Sequence, residues 1–129
     1  MSGIDYKQVI VVDNSLKMRT GKICSQVGHA CMMFLVTDDP RESEFSKSML
    51  DQDFEAWMEG GMKKCILRAE SSDELNKVEQ QARDAGLHVR SVIDAGLTTF
   101  GGRPTKTCVA IGPSDSNVID SVTGKLKLL

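Results

Sequence analysis

The sequence predicts an α/β fold, a small mixed four-stranded β-sheet with α-helices packed on both faces. Three observations point there. Four short apolar runs, "KQVIVVD", "KKCILRA", "HVRSVID" and "TKTCVAIG", are rich in branched residues and apolar at successive positions, as strands covered on both faces are. The stretches between the first three runs carry helical periodicity, so those strands are joined by crossovers of the kind parallel pairing needs. The last two runs are joined by a connection rich in glycine, "LTTFGGRP", which permits an antiparallel pair.

Taken in order, the first strand covers residues 7–13 and stops at the turn signal "DNS". A helix follows from Gly21 or Lys22 to about Val36. Ile23, Val27, Ala30, Cys31 and Phe34 fill one broad arc of it, Lys22, Gln26 and His29 form a narrow polar stripe, and Gly28 and Met32 occupy a third side. Such a helix is expected to pack on more than one face and to turn its polar stripe into a cleft. Met32, Met33 and Trp57 are expected in the core, an interface between chains being the alternative. "TDDPRES" is a loop around Pro40, and residues 45–59 are an acidic helix stopped by Gly60 and Gly61. The second strand is 63–69. "SSDELNKVEQQARDAGL" opens with Ser71 or Ser72 as N-cap, has Glu74 in place for a capping box if Ser71 is the cap, and ends at Gly86. The third strand, 88–94, begins at His88, expected at the surface. The fourth is 105–112, followed by a helix in "PSDSNVIDSVTG" with a serine cap and Gly124 at its C-terminal side, then the tail "KLKLL".

A chain of 129 residues suits one domain, here residues 1–129. Apolar content of 40% with 26% charged residues excludes disordered and fibrous classes. No apolar run reaches the roughly 18 to 20 residues of a membrane span, and "MSGIDYKQ" has no leader pattern, so the expectation is a cytoplasmic protein with no membrane partner. Cys24, Cys31, Cys65 and Cys108 form no C-x-x-C pair, which predicts neither a zinc site nor a disulfide framework but reduced packing residues. The formal charge is -2, yet residues 41–60 set two cations against six carboxylates. The rest of the chain is net positive and has room for a basic face.

Lys17, Arg19 and Lys22 lie at or just before a helix start, where the macrodipole costs each cation roughly 0.3 to 1 kcal/mol relative to an acid. A bound phosphate or carboxylate, held by backbone N–H groups near Gly21 and by the Lys22 ammonium, would offset that cost; the alternative is a solvated basic turn. It is no Walker loop, since G-x-x-x-x-G-K-[ST] is absent. In "VIDAGLTT", Asp94 ends an apolar strand and either caps a turn or serves as a base or orienting group, with Thr98 and Thr99 available to a developing oxyanion. Thr107 starts the last strand beside Cys108. His29 has no Gly-x-Ser-x-Gly elbow for company and reads as a packing or substrate-facing residue.

With these residues in view, the chain resembles the archaeal and eukaryotic type of peptidyl-tRNA hydrolase from about Lys7 to Leu129. The resemblance runs through "QVIVV", then "LKM" and "GKI" with Gln26 and His29 following, "DAG" with Thr98, "TC" with "IGP", and "ID" with "VTGKLKLL". It implies a four-stranded mixed sheet flanked by helices, a homodimer, and hydrolysis of the ester joining a peptide to the tRNA 3' end without metal or organic cofactor. It places the catalytic residues on Lys22, Asp94, Thr98 and Thr107. Lys17, Arg19, Gln26, His29 and Thr99 are the expected substrate-binding residues, and peptidyl-tRNA the expected partner. The chain departs from the family pattern at Asp13, where an arginine is common, at Thr20, where a lysine is, and at Thr99, where a glutamine is. Its "FGGRP" connection is also longer by about one residue. These departures and the acidic segment keep open a second reading, a relative that retains the fold as a binding module. A third is hydrolysis of a different small ester or amide.

Overall fold

Val9 to Val12 explain the centre of the molecule: branched side chains on consecutive residues can all be buried only in a strand covered on both sides. In the computed structural model, which describes residues 3–97 and 100–129, they form the middle of strand β1 (Tyr6–Asp13). Val9 and Val11 enter one core while Ile10 and Val12 enter the other. Thr98 and Thr99, both expected in the site, lie outside the described residues.

The helices α1 (Thr20–Val36) and α2 (Glu44–Glu59) connect β1 to strand β2 (Lys64–Ala69), and helix α3 (Ser72–Asp84) connects β2 to strand β3 (Val89–Asp94). Strand β4 (Thr105–Asp115), helix α4 (Ser116–Thr123) and strand β5 (Lys127–Leu128) complete the order. The sheet runs β3-β4-β1-β2-β5, with β1 and β2 parallel and every other pair antiparallel. Leu75, Val78 and Ala82 of α3 and Ile119 of α4 cover one face with Val9, Val11, Val109 and Ile111. On the other face Val27, Ala30 and Cys31 of α1 meet Ile10, Val12, Cys108 and Ala110. Phe34 extends that layer to Phe54 and Trp57 of α2, with ring centroids 5.7 and 6.1 Å away. Helices on both faces and an antiparallel β3–β4 pair are as the sequence predicts.

Several expectations are corrected. The sheet has five strands among the described residues, not four, because the tail pairs with β2 through Leu67↔Leu128 and Arg68↔Lys127. A two-residue strand is stabilised by its partner's backbone and carries no periodicity of its own. Strand β4 runs on to Asp115, and it is Asp115, not a serine, whose side chain caps α4 by accepting the Asn117 N–H. Of the two serines it is Ser71 that caps α3, and Glu74 closes its end of the box on the Glu70 N–H. Helix α1 buries one side only: Gln26, Ala30 and Phe34 are inside, while Cys24 and Met32 are exposed and not packed. His88 is buried rather than at the surface.

Candidate active site

The start of α1 and the end of β3 meet at one end of the sheet. Lys22, in the first turn of α1, places Nζ 3.0 Å from Asp94 Oδ1, the two side chains being only 18% and 16% exposed. One turn on, Gln26 Nε2 donates to the same oxygen at 3.3 Å. The other carboxylate oxygen, Oδ2, accepts the Gly96 N–H at 2.9 Å. The hydrogen bond from Lys22, then that from the Gly96 N–H, hold the Asp94 carboxyl below its ordinary value, so it is ionised at neutral pH. The Phe100 ring lies 5.8 Å from Lys22 Nζ, an apolar and polarisable wall on the ammonium.

The Gln26 amide is itself oriented. Its Oε1 accepts from Thr107 Oγ1 at 2.7 Å, which turns the NH₂ toward Asp94. Thr107 reaches Gln26 because of a β-bulge. Between the pairs Val92↔Cys108 and Ile93↔Lys106, β4 has one residue more than β3, and that residue is Thr107. Strict alternation would point Thr107 with Val109 toward α3 and Lys106 with Cys108 toward α1. The bulge reverses both, so Thr107 faces Gln26 and Lys106 bonds Glu79 and Asn76 of α3. Thr107 is fully buried, and its hydroxyl donates to Gln26.

The other expected site residues are placed differently. Lys17 and Arg19 are exposed on the approach to α1, Lys17 with φ 53° at the end of a short 3-10 turn over residues 14–16. Arg19 occupies the N-cap position of α1 without a side-chain cap bond, and the first turn has no acid. The cations therefore frame an end of α1 whose dipole no carboxylate of its own neutralises. Thr20 is exposed at the first position of the helix. Asp13, an acid where the family pattern has a base, is buried and turned onto its own chain. Its Oδ1 accepts both the N–H and the hydroxyl of Ser15, at 3.0 and 2.6 Å. His29 is exposed, one turn past Gln26, beside Met32, Met33 and Val92.

The acidic segment also turns inward. His88 Nδ1 lies 2.8 Å from Ser46 Oγ and 3.4 Å from Glu42 Oε2, and Nε2 lies 2.9 Å from Asp53 Oδ2. Arg90 pairs with Glu42. Two of the carboxylates that made residues 41–60 look like a partner surface are thus consumed in docking α2 on the sheet. Among the described residues no group of three His, Cys, Asp or Glu side chains is arranged to hold a metal ion.

Sequence reasoning missed Gly96 and Phe100 as parts of the site. "DAG" contained the first signal: Gly96 has φ 82°, and a Cβ there would lie 2.4 Å from the Arg103 carbonyl oxygen. Only glycine lets the loop fold back on Arg103 and keep its N–H on Asp94.

Comparison with known proteins gives the family. A family model described as peptidyl-tRNA hydrolase PTH2 matches residues 6–129. A peptidyl-tRNA hydrolase of Methanopyrus kandleri is 39% identical over 124 residues, covering 96% of this chain and 98% of its own. One from Pyrobaculum aerophilum is 38% identical over 129 residues, covering 97% and 98%, and one from Thermococcus onnurineus is 35% identical over 124 residues, covering 96% and 98%.

Proposed function

Because the chain belongs to the peptidyl-tRNA hydrolase PTH2 family, we propose that its Lys22–Asp94 centre hydrolyses the ester between a peptide and the 3'-terminal ribose of tRNA. The observation that carries the reading is the convergence of Lys22, Gln26 and the Gly96 amide on the one carboxylate of Asp94.

Ester hydrolysis needs an attacking water, stabilisation of charge on the carbonyl oxygen and a proton for the departing ribose oxygen. Asp94, held ionised, is a weak base but a strong acceptor, and it orients the water. The Lys22 ammonium faces the oxyanion, a contribution worth about 3 to 4 kcal/mol for one well-placed donor. Water's oxygen bonds to the carbonyl carbon, the bond to the ribose oxygen breaks, one of the water's protons ends on that oxygen and the other passes to solvent. The products are a free peptide carboxylate and tRNA. Gln26 and, through it, Thr107 fix Asp94 in place, and Thr98 supplies a further donor. Lys17 and Arg19 bind the phosphates next to the ester, and His29 and Thr99 border the bound substrate.

Residues 1–129 act as one hydrolase unit, in the cytoplasm where its tRNA substrate is used. The chain pairs as a homodimer, for which the exposed Phe45, Met58 and Met62 around α2 offer apolar surface.

The test is release of the blocked amino acid from N-acetylaminoacyl-tRNA by the purified protein. Wild type is expected to turn over, and both Lys22→Ala and Asp94→Asn to lower kcat by about 10² to 10³. No release by wild type at high enzyme concentration overturns the reading; release indifferent to both substitutions overturns the site. Because phosphates dominate tRNA affinity, KM is expected to climb steeply with salt.

A further inference from the structure

The polar stripe of α1 continues beyond Gln26 into apolar surface. His29, Met32, Met33, Val36, Val92 and Ile93 line a cavity of about 350 Å³ between α1 and β3, with no Lys, Arg, Asp or Glu among them. Met32 and Val36 are 52% and 64% exposed, and Leu35 beside them 55%, a large apolar area for one short stretch of helix. A second cavity, of about 410 Å³, shares Met33 and leads past Thr37 to a charged end at Asp38, Asp39, Arg41 and Arg90. Among the described residues strand β3 is terminal in the sheet, so one row of its N–H and C=O groups has no strand partner.

We propose that this groove holds the peptide arm of the substrate in extended form, running from the Lys22–Asp94 centre between α1 and the free edge of β3. The inference rests on the hydrolase reading given above. Its direction follows from charge. The substrate has two arms leaving one ester, a polyanion and an uncharged chain. Lys17 and Arg19 lie on the N-terminal side of Lys22, and uncharged, largely apolar residues lie on the C-terminal side of Gln26. The polyanion fits the first and the peptide the second. From Gln26 to Val36 the helix advances about 15 Å at 1.5 Å per residue, room for four or five residues at about 3.3 Å each. Backbone bonding to β3 recognises any sequence, while the methionines add affinity for apolar side chains.

The experiment compares N-acetyl-Leu-Leu-Gly-tRNA with N-acetyl-Gly-Gly-Gly-tRNA, whose scissile residues are identical. For wild type, KM is expected about tenfold lower for the leucyl peptide, with kcat the same. Met33→Ala, and separately a Met32→Glu/Val36→Glu pair at exposed helix positions, are expected to reduce that ratio to near one. Equal KM values for wild type overturn the proposal, and so does a tenfold ratio that survives both variants. A pair variant that changes from two chains to one in sedimentation while keeping the ratio assigns the groove to chain–chain contact instead. Wild type that cleaves neither tRNA fails the hydrolase reading itself, whereas cleavage of both with equal KM fails only this inference.

Discussion

Lys22 and Asp94, 72 positions apart, form an ion pair at 3.0 Å that also receives the Gln26 amide. Groups that act as a unit give non-additive losses. The Lys22→Ala/Asp94→Asn double variant is therefore expected to be within about threefold of the worse single variant in kcat/KM. Multiplication of the two single losses would mean that the residues act independently.

Thr107→Val removes the donor that fixes Gln26 and leaves a buried amide oxygen unpaired. A destabilisation of about 1 to 3 kcal/mol in urea unfolding is expected. A purely structural role would stop there, but a positioning role predicts in addition a kcat about tenfold lower at temperatures where the variant is fully folded. Thr107→Ser, which keeps the hydroxyl, is expected to recover most of that kcat.

Gly96→Ala puts a Cβ 2.4 Å from the Arg103 carbonyl oxygen at φ 82°. The loop must shift, taking its N–H away from Asp94 Oδ2. Activity is expected to fall at least tenfold while the melting temperature drops only a few degrees, because the loop lies outside both cores. Wild-type activity in this variant would show that the Gly96 amide is dispensable.

Two carboxylates give separate acid-side tests. Asp94 is held below its ordinary 3.8, chiefly by Lys22 and the Gly96 N–H. Its acidic limb in kcat is therefore expected below pH 3.8, leaving the rate flat with respect to this group from pH 5 upward. Burial pushes Asp39 up, but the guanidinium and N–H of Arg41 and the charge of Arg83 hold it at about 2. A folded-state value below the unfolded one means that the contribution to stability is complete above about pH 4 and lost as pH falls toward 2. Unfolding followed from pH 5 to 2 is expected to show a wild-type decline in that window that Asp39→Asn lacks.

Thiol chemistry gives an independent check on packing. Burial pushes the Cys108 thiol up to about 12, whereas Cys24 is exposed. A thiol reagent at pH 8 is expected to modify Cys24 first and to reach Cys108 only in denaturant. Early labelling of Cys108 would contradict the core around Ile10, Val12 and Ala110.

The strands β1 to β4 and the helices α1 to α3 were legible because each carries its own pattern: paired-face burial in Val9 to Val12, the serine cap and glycine stop around α3. The tail strand was not, since Lys127 and Leu128 owe their conformation to β2. His88 was misread for a similar reason. Its neighbours Ser46, Glu42 and Asp53 lie 35 to 46 positions away and come together only when α2 docks.

By itself the sequence determined the α/β class and every α-helix and strand but the tail strand, because periodicity, caps and turn residues act over a few positions. Tertiary structure alone decided that Thr107 faces Gln26 and that His88 is buried under α2. It also decided that the apolar residues at the end of α1 remain uncovered. Each of these depends on how distant segments are registered against one another, and a single extra residue in β4 is enough to reverse which side of the sheet a side chain meets.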